Sequence, residues 1–300
     1  MTILPDATPP LSESAMIAAM TAIMSGECAD DDIAAFLTTL ADRGETAEEI
    51  TGAARVLRQK ASSITAPYGA LDCCGTGGDA SGTYNISTAV AIVAASCGVP
   101  VAKHGNRAAS SKSGAADVLE VLGVNLDLPK DKLEEALKLY NFCFLMAPHH
   151  HAAMRHVAAV RKSLGRRTIF NLLGPLANPA GTKLQLLGVY DEKWLEPMAK
   201  ALQNLGTKRA WVVYGSDGLD EITITGPTKA AILQDGEITL KTLTPEHFGL
   251  QAVDLAKLKG GSAEDNANAL RALLEGQKCA YRDIVLANTA GVLMIHGSAE

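Results

Sequence analysis

The stretch Leu71-Asp-Cys-Cys-Gly-Thr-Gly-Gly-Asp79 joins a short apolar run to a glycine-rich turn, and Asn85-Ile-Ser-Thr88 then opens an alanine- and valine-rich segment. Glycines lack a Cβ atom, so their backbone N–H groups can approach an anion closely. A helix N-terminus adds unpaired donors and a positive dipole. The order of strand, glycine turn and helix therefore predicts a phosphate-binding loop, although such turns are also used for purely structural purposes. The polar side chains of Asn85, Ser87 and Thr88 either cap the helix or bind phosphate, and Ser87 could hold a cation.

A second polar loop, Lys103-His-Gly-Asn-Arg107 running on to Ser110-Ser-Lys-Ser-Gly114, follows another candidate strand, Val99–Lys103. Lys103 and Arg107 supply positive charge, and the glycines and serines of the loop allow close approach of a ligand. In a parallel sheet both loops would leave the same carboxyl edge, where ligands of open α/β sheets bind. The alternative is a solvated basic turn.

Two further groups of residues suggest chemistry. Asp220 and Glu221 follow a candidate strand that ends at Tyr214, and adjacent carboxylates there suit Mg²⁺ shared with a phosphorylated substrate, although they could simply be solvated. The cluster His149-His-His151 lacks a further cysteine or carboxylate at a useful zinc spacing, which disfavours a structural zinc site. We expect His151 and Arg161 to face a small acidic substrate instead, since arginine binds carboxylates with two hydrogen bonds.

Composition restricts the class of protein. The chain has 300 residues, 47% of them apolar and 4% aromatic, with a formal net charge of -6. The acidic balance and the scarcity of aromatic rings argue against nucleic-acid binding. The six cysteines form no CxxC pair, and we expect a reducing cytoplasmic location, with no signal peptide and no membrane span.

Periodicity predicts two kinds of architecture along the chain. Residues 12–63 have the apolar spacing of three helices, with a capping box at Thr46-Ala-Glu-Glu49, and Ser62–Gly69 reads as a linker. Strands and helices then alternate, which predicts an α/β domain with a mainly parallel sheet. We expect a small helical domain over 1–68, completed by helices around 152–178, and an α/β domain over 69–300. The predicted strands are Leu71–Cys74, Val99–Lys103, Phe142–Met146, Leu184–Val189, Arg209–Tyr214, Thr223–Ile224 and Ala230–Leu233.

An ordered set of motifs resembles the anthranilate phosphoribosyltransferase family as far as about residue 297. These motifs are Asp72-Cys-Cys-Gly-Thr-Gly-Gly-Asp79, Asn85-Ile-Ser-Thr88, Lys103-His-Gly-Asn-Arg107, Ser113-Gly-Ala-Ala-Asp117, Arg167-Thr-Ile-Phe-Asn-Leu-Leu-Gly-Pro-Leu-Ala-Asn-Pro179 and Gly218-Leu-Asp-Glu221. The resemblance implies a small helical domain joined to a larger α/β domain, and a homodimer formed through the helical domain. It also implies transfer of phosphoribose from phosphoribosyl pyrophosphate to the amine of anthranilate, in tryptophan biosynthesis.

The resemblance also implies the site, with no residue assigned as nucleophile or base. The residues matched to phosphoribosyl pyrophosphate are Gly75, Gly78, Asp79, Thr83, Asn85, Ile86, Ser87, Thr88, Lys103, His104, Gly105, Asn106, Arg107, Ala108, Ala109, Ser110, Ser111 and Ala115. Those matched to anthranilate are Gly75, Asn106, His151 and Arg161, and those matched to Mg²⁺ are Ser87, Asp220 and Glu221.

Two departures and two rival functions accompany the resemblance. The family often has proline where this chain has Ala152, and its members usually continue through further helix beyond the position of Glu300. A pyrimidine nucleoside phosphorylase would share the fold, but the first loop and the Asp220-Glu221 pair favour pyrophosphate with magnesium. A relative that had become a nucleic-acid-binding protein would need a basic face, which the acidic net charge opposes.

Overall fold

The N-terminal part of the chain is helical. The computed structural model describes residues 2–78, 81–108 and 112–299, and its first elements are helices α1 (Glu13–Met24), α2 (Asp30–Arg43) and α3 (Ala47–Lys60). The predicted capping box is confirmed, because the Thr46 hydroxyl accepts the Glu49 N–H while the Glu49 carboxylate accepts the Thr46 N–H. Among the described residues, no helix is long and apolar enough to cross a membrane.

A seven-stranded sheet forms the centre of the rest of the chain, in the order β3-β2-β1-β4-β5-β6-β7. Its strands are β1 (Leu71–Gly75), β2 (Val101–Gly105), β3 (Phe142–Met146), β4 (Leu184–Gly188), β5 (Arg209–Gly215), β6 (Thr228–Gln234) and β7 (Glu237–Leu243). The first five pair in parallel, and β6 and β7 are antiparallel. The predicted mainly parallel sheet is therefore confirmed.

Two details of the strand prediction are wrong. Thr223–Ile224 is not a strand but part of the turn between β5 and β6. There the Thr223 hydroxyl donates to Asp217 Oδ2, and the Thr223 N–H donates to the Thr228 side-chain hydroxyl instead of to a neighbouring strand. Strand β7 was not predicted, since most of its side chains on both faces are exposed and no buried apolar pattern marks it.

Helices cover both faces of the sheet. They are α4 (Ile86–Ser96), α5 (Ala115–Val121), α6 (Lys130–Tyr140), α7 (Ala147–His150), α8 (Arg155–Leu164), α9 (Phe170–Leu173), α10 (Leu195–Asn204), α11 (Ala263–Leu274) and α12 (Ala280–His296). Alternate residues of β5 belong to different apolar clusters: Val212 belongs to the cluster that includes residues of α1–α3 and α10, whereas Trp211 and Val213 belong to the cluster that includes residues of α4, α11 and α12. Burial on both faces is what parallel strands require.

Helices α8 and α9 pack onto the N-terminal helices. Val157, Val160 and Phe170 share a buried cluster with Met20 and Leu37. The division of the chain at residue 68, with helices around 152–178 completing the helical domain, stays a prediction.

Candidate active site

The two predicted phosphate loops leave the same edge of the sheet. Strands β1 and β2 are parallel neighbours that end at Gly75 and Gly105, so the first loop (residues 75–85) and the second loop (residues 105–114) start side by side. Four residues predicted to bind phosphoribosyl pyrophosphate lie outside the described residues, and their roles stay predictions: Asp79, Ala109, Ser110 and Ser111.

Asp220 lies directly against the first loop. The Gly77 N–H donates to Asp220 Oδ2 over 2.8 Å. A Cβ atom on Gly75 would stand 2.1 Å from the same oxygen, so only glycine allows this approach. The Asp220 carboxylate, 143 residues away in sequence, therefore accepts the hydrogen bond of an N–H group that the predicted phosphate loop would use to bind an anion.

The negative charge of Glu221 contributes to the raised pKa values of two buried groups, the Cys73 thiol and the Tyr281 hydroxyl. Burial, with added repulsion from Asp72 and Glu221, raises the pKa of the Cys73 thiol to about 12. Burial and then Glu221 also raise the pKa of the Tyr281 hydroxyl. That hydroxyl donates to the Asn85 carbonyl over 3.2 Å.

Asn85 connects the two loops and does not cap α4. It stands at the N-cap position, but its side chain makes no capping hydrogen bond. Its Nδ2 donates instead to the Ser113 carbonyl in the second loop over 3.3 Å. The capping alternative is therefore wrong for Asn85. Thr88 is buried in the first turn of α4, and its hydroxyl has no hydrogen-bond partner among the described residues.

Lys103 is buried beneath the first loop, with 1% of its surface exposed. Its ammonium donates to the Cys73 carbonyl over 2.7 Å and to Ser87 Oγ over 3.1 Å. Since the cation is buried and directed at Ser87, the alternative of a solvated basic turn is wrong for this residue.

A buried carboxylate accompanies Lys103. Asp72 accepts hydrogen bonds from Asn178 Nδ2 over 2.7 Å and from the His104 N–H over 3.2 Å. Burial raises the pKa of Asp72, and the charge of Lys103 opposes that rise. Asp72 and Asn178 belong to the recognised motifs, but neither was predicted to be a site residue.

Arg107 points away from the first loop, toward α5. Its guanidinium makes two hydrogen bonds to Glu120, at 2.7 and 2.9 Å, and one to Asp117 at 3.2 Å. Asp117 also accepts the N–H groups of Ala108, over 2.9 Å, and Gly114, over 2.8 Å. Burial raises the pKa of Asp117, but these hydrogen bonds bring it below its usual value. One carboxylate thus joins the described residues on the two sides of the second loop, up to Ala108 and from Gly114 on.

The three consecutive histidines do not converge. His149 faces Asp127 at 3.4 Å, and His150 Nδ1 lies 2.7 Å from the Ser62 carbonyl. His151 instead packs edge-on against His104, with ring centroids 5.1 Å apart. Among the described residues, no three His, Cys, Asp or Glu side chains form a metal-binding group.

His104 and His151 are neutral at the site. Burial, followed by the repulsion of another histidine, lowers the pKa of His104 to about 3 and that of His151 to about 4. Both Nε2 atoms are buried without a hydrogen-bond partner among the described residues. Beside the start of the second loop, the two rings are therefore uncharged, and among the described residues neither Nε2 atom has a hydrogen-bond partner.

Two arginines follow on the helical side. The Arg161 guanidinium lies 5.3 Å from the centroid of the Phe170 ring, and burial lowers its pKa. Arg167 lies 4.0 Å from the Tyr190 ring centroid and donates to the Gly78 carbonyl of the first loop. The contact of Arg167 with the first loop joins residues 89 positions apart, and no local sequence signal indicates it.

Comparison with known proteins agrees with this geometry. Residues 67–300 match the a/b domain of a glycosyl transferase family, and residues 7–61 match the helical bundle domain of such a family. An anthranilate phosphoribosyltransferase of Rhodospirillum rubrum is 56% identical over 97% of this chain and 84% of its own length. The chain belongs to the anthranilate phosphoribosyltransferase family. The resemblance seen in the sequence and the expected fold class are both confirmed.

Solved structures of this family have the same fold. The anthranilate phosphoribosyltransferase of Thermus thermophilus is 44% identical, with a TM-score of 0.93 over 97% of this chain and 88% of that one. The Saccharomyces cerevisiae anthranilate phosphoribosyltransferase, solved in complex with PRPP (phosphoribosyl pyrophosphate) and Mg, is 30% identical, with a TM-score of 0.86 over 99% and 88%.

Proposed function

We propose that this protein transfers phosphoribose from phosphoribosyl pyrophosphate to the amine of anthranilate, releasing pyrophosphate, in tryptophan biosynthesis. The observation that carries the proposal is the meeting of two loops and Asp220 at one edge of the sheet, in a chain 56% identical to an anthranilate phosphoribosyltransferase. Ligands of open α/β sheets bind at this carboxyl edge.

Phosphoribosyl pyrophosphate would bind across both loops. Backbone N–H groups of the first loop and the α4 N-terminus suit an anion, and the buried Lys103 adds a positive charge beneath them. Because Asp220 already accepts the Gly77 N–H, its carboxylate has to leave that donor before a pyrophosphate oxygen can take it. The residues assigned to this substrate are the eighteen that the family resemblance implies.

Mg²⁺ would be held by Ser87, Asp220 and Glu221. The hydroxyl and carboxylate oxygens of these residues are the donors that Mg²⁺ prefers. The yeast relative solved with PRPP and Mg supports magnesium as the metal. When bound, the metal would neutralise charge on the leaving pyrophosphate.

Anthranilate would bind between the second loop and the helical side, at Gly75, Asn106, His151 and Arg161. The neutral ring of His151 suits an aromatic substrate, and the half-buried guanidinium of Arg161 suits its carboxylate. The aromatic amine is neutral near pH 7, so no strong base is needed. Cleavage of the bond from ribose C1 to oxygen is the difficult step, and it depends on positioning and on stabilising the leaving group.

Arg161→Ala tests the anthranilate assignment. Loss of a charged hydrogen-bonding pair is worth about 1.5–3 kcal/mol, so the KM for anthranilate should rise about 10- to 100-fold. The KM for phosphoribosyl pyrophosphate should change much less. Steady-state kinetics with each substrate varied would measure both, and equal effects would count against the assignment.

We also propose a cytoplasmic homodimer formed through the helical domain, as the family resemblance implies. Sedimentation of the protein, compared with variants carrying charged residues on the exposed faces of α1 and α2, would test the dimer and its surface.

The direct test of the reaction is loss of anthranilate fluorescence. It should require phosphoribosyl pyrophosphate and Mg²⁺ together, and stop when either is omitted or the metal is chelated. Phosphorolysis of thymidine or uridine, with no use of anthranilate, would instead identify a nucleoside phosphorylase.

A further inference from the structure

The second half of the first loop is held by a segment that lies almost 180 residues further along the chain. Thr83 forms an antiparallel bridge with Lys259, and the Gly260 N–H donates to the Gly82 carbonyl over 2.9 Å. The Lys259 ammonium donates to the Ser81 carbonyl. The loop is therefore bound to the stretch Lys259-Gly-Gly-Ser-Ala-Glu-Asp-Asn266.

The backbone of that stretch fits the loop only because it contains glycine. A Cβ atom on Gly260 would stand 2.7 Å from the Thr83 carbonyl oxygen and 2.7 Å from Asn266 Oδ1. Ser262 and Asp265 then form a capping box that starts α11 and places Asn266 in its first turn.

The amide of Asn266 has a defined orientation. The Gly261 N–H can only donate, and it lies 2.8 Å from one side-chain atom of Asn266, which must therefore be the oxygen. The other atom, Nδ2, donates to Asn85 Oδ1 over 2.8 Å. Asn266 is itself 2% exposed, so water has little access to replace these bonds.

The orientation of the Asn266 amide also fixes the orientation of the Asn85 amide. Asn85 Oδ1 accepts from Asn266 and, over 3.4 Å, from the Ser113 hydroxyl, so Asn85 Nδ2 is left as the donor to the Ser113 carbonyl of the second loop over 3.3 Å. One chain of hydrogen bonds thus runs from Gly261 through both asparagines to the second loop.

We propose that Asn266 is a positioning residue for phosphoribosyl pyrophosphate: it fixes the amide of Asn85, and through it the spacing of the two loops. The inference rests on the proposed function, since it takes Asn85 to be a substrate residue. Asn266 lies outside the residues and motifs that the sequence analysis singled out, and it acts through Asn85 without touching substrate.

A double-mutant cycle of Asn85→Ala and Asn266→Ala tests the proposal. Asn266→Ala should raise the KM for phosphoribosyl pyrophosphate about 10-fold, the effect of one buried hydrogen bond, and change the anthranilate KM less than about twofold. The double variant should be no worse than Asn85→Ala alone, because the effect of Asn266 passes through Asn85.

Two further variants keep the test independent of folding. Asn266→Asp retains an oxygen for the Gly261 N–H but presents a second acceptor to Asn85 Oδ1, so it should show the same selective rise in KM; because a buried carboxylate also costs stability, the kinetics of every variant are measured well below its melting temperature. Asn268→Ala, at an exposed position of the same helix, is the matched control and should behave as the parent protein.

The outcomes separate the two hypotheses. Additive effects in the double variant, or equal effects of Asn266→Asp on both substrates, would overturn the role of Asn266. If Asn85→Ala itself left the KM for phosphoribosyl pyrophosphate unchanged, the proposed substrate site would fail and the inference would fail with it.

Discussion

The two loops at the carboxyl edge of the sheet are held in opposite ways. The second loop is folded around Asp117, which follows it by a few residues and accepts the N–H groups of Ala108 and Gly114. The first loop is held by residues far away in sequence, including Asp220, Lys259 and Arg167. The described residues of the second loop are therefore held by contacts that are local in sequence, whereas those of the first loop depend on contacts that form only when distant segments have packed together.

The largest expected effect on activity comes from changing Asp220, which contacts the first loop, together with Glu221. Asp220→Asn combined with Glu221→Gln should lower magnesium-dependent turnover about 100- to 1,000-fold, since loss of a charge-stabilising group in an enzyme site costs this much. Titration of activity with Mg²⁺ measures it. Glu237→Gln, an exposed carboxyl on β7, is the control. An unchanged Mg²⁺ dependence would remove these carboxylates from the metal site.

His104 and His151, the buried histidines beside the start of the second loop, should make the stability of the fold sensitive to acid. In the unfolded chain the pKa of each histidine is about 6.5, whereas in the folded protein the pKa of His104 is about 3 and that of His151 about 4. The unfolded state therefore binds more protons below pH of about 6.5. The free energy of unfolding should fall as pH drops from there toward about 4, by up to about 1.4 kcal/mol per pH unit for each histidine.

Denaturant unfolding between pH 7 and 4 measures this slope. His104→Gln and His151→Gln should each make it shallower, while the exposed His149→Gln should leave it unchanged. A slope that is the same in all four proteins would show that the two buried rings do not control it.

A smaller effect is expected from the local carboxylate. Asp117→Ala leaves the N–H groups of Ala108 and Gly114 without their acceptor and should raise the KM for phosphoribosyl pyrophosphate about 10-fold. Hydrogen exchange should become faster in the second loop and stay unchanged in residues 81–85. Equally faster exchange in both loops would contradict the idea that the second loop is held locally.

Glu120→Ala should have the smallest effect. Glu120 is exposed and is bonded only to Arg107 among the contacts that define the second loop, so its loss should leave the melting temperature nearly unchanged and change the KM less than about twofold. Thermal unfolding and kinetics would measure both. An effect as large as that of Asp117→Ala would mean that the Arg107 ion pair, and not the backbone contacts of Asp117, shapes the loop.

The same contrast explains how much the sequence could predict. The strand–glycine–helix order at Leu71–Thr88, the capping box at Thr46 and the parallel sheet follow from patterns within a few residues. The family resemblance added the substrate and the site residues, which local patterns could not supply. The contacts of Asp72, Arg167 and Asn266 were missed because they depend on how distant segments pack, and nothing within each segment indicates its partner.

A crystal structure with phosphoribosyl pyrophosphate and Mg²⁺ bound would test most directly whether the first loop binds the pyrophosphate group. Pyrophosphate oxygens should lie within hydrogen-bond distance of the first-loop N–H groups, with Asp220 moved off Gly77 and, with Glu221, directed at the metal. A pyrophosphate bound elsewhere, with Asp220 still bonded to Gly77, would contradict this prediction.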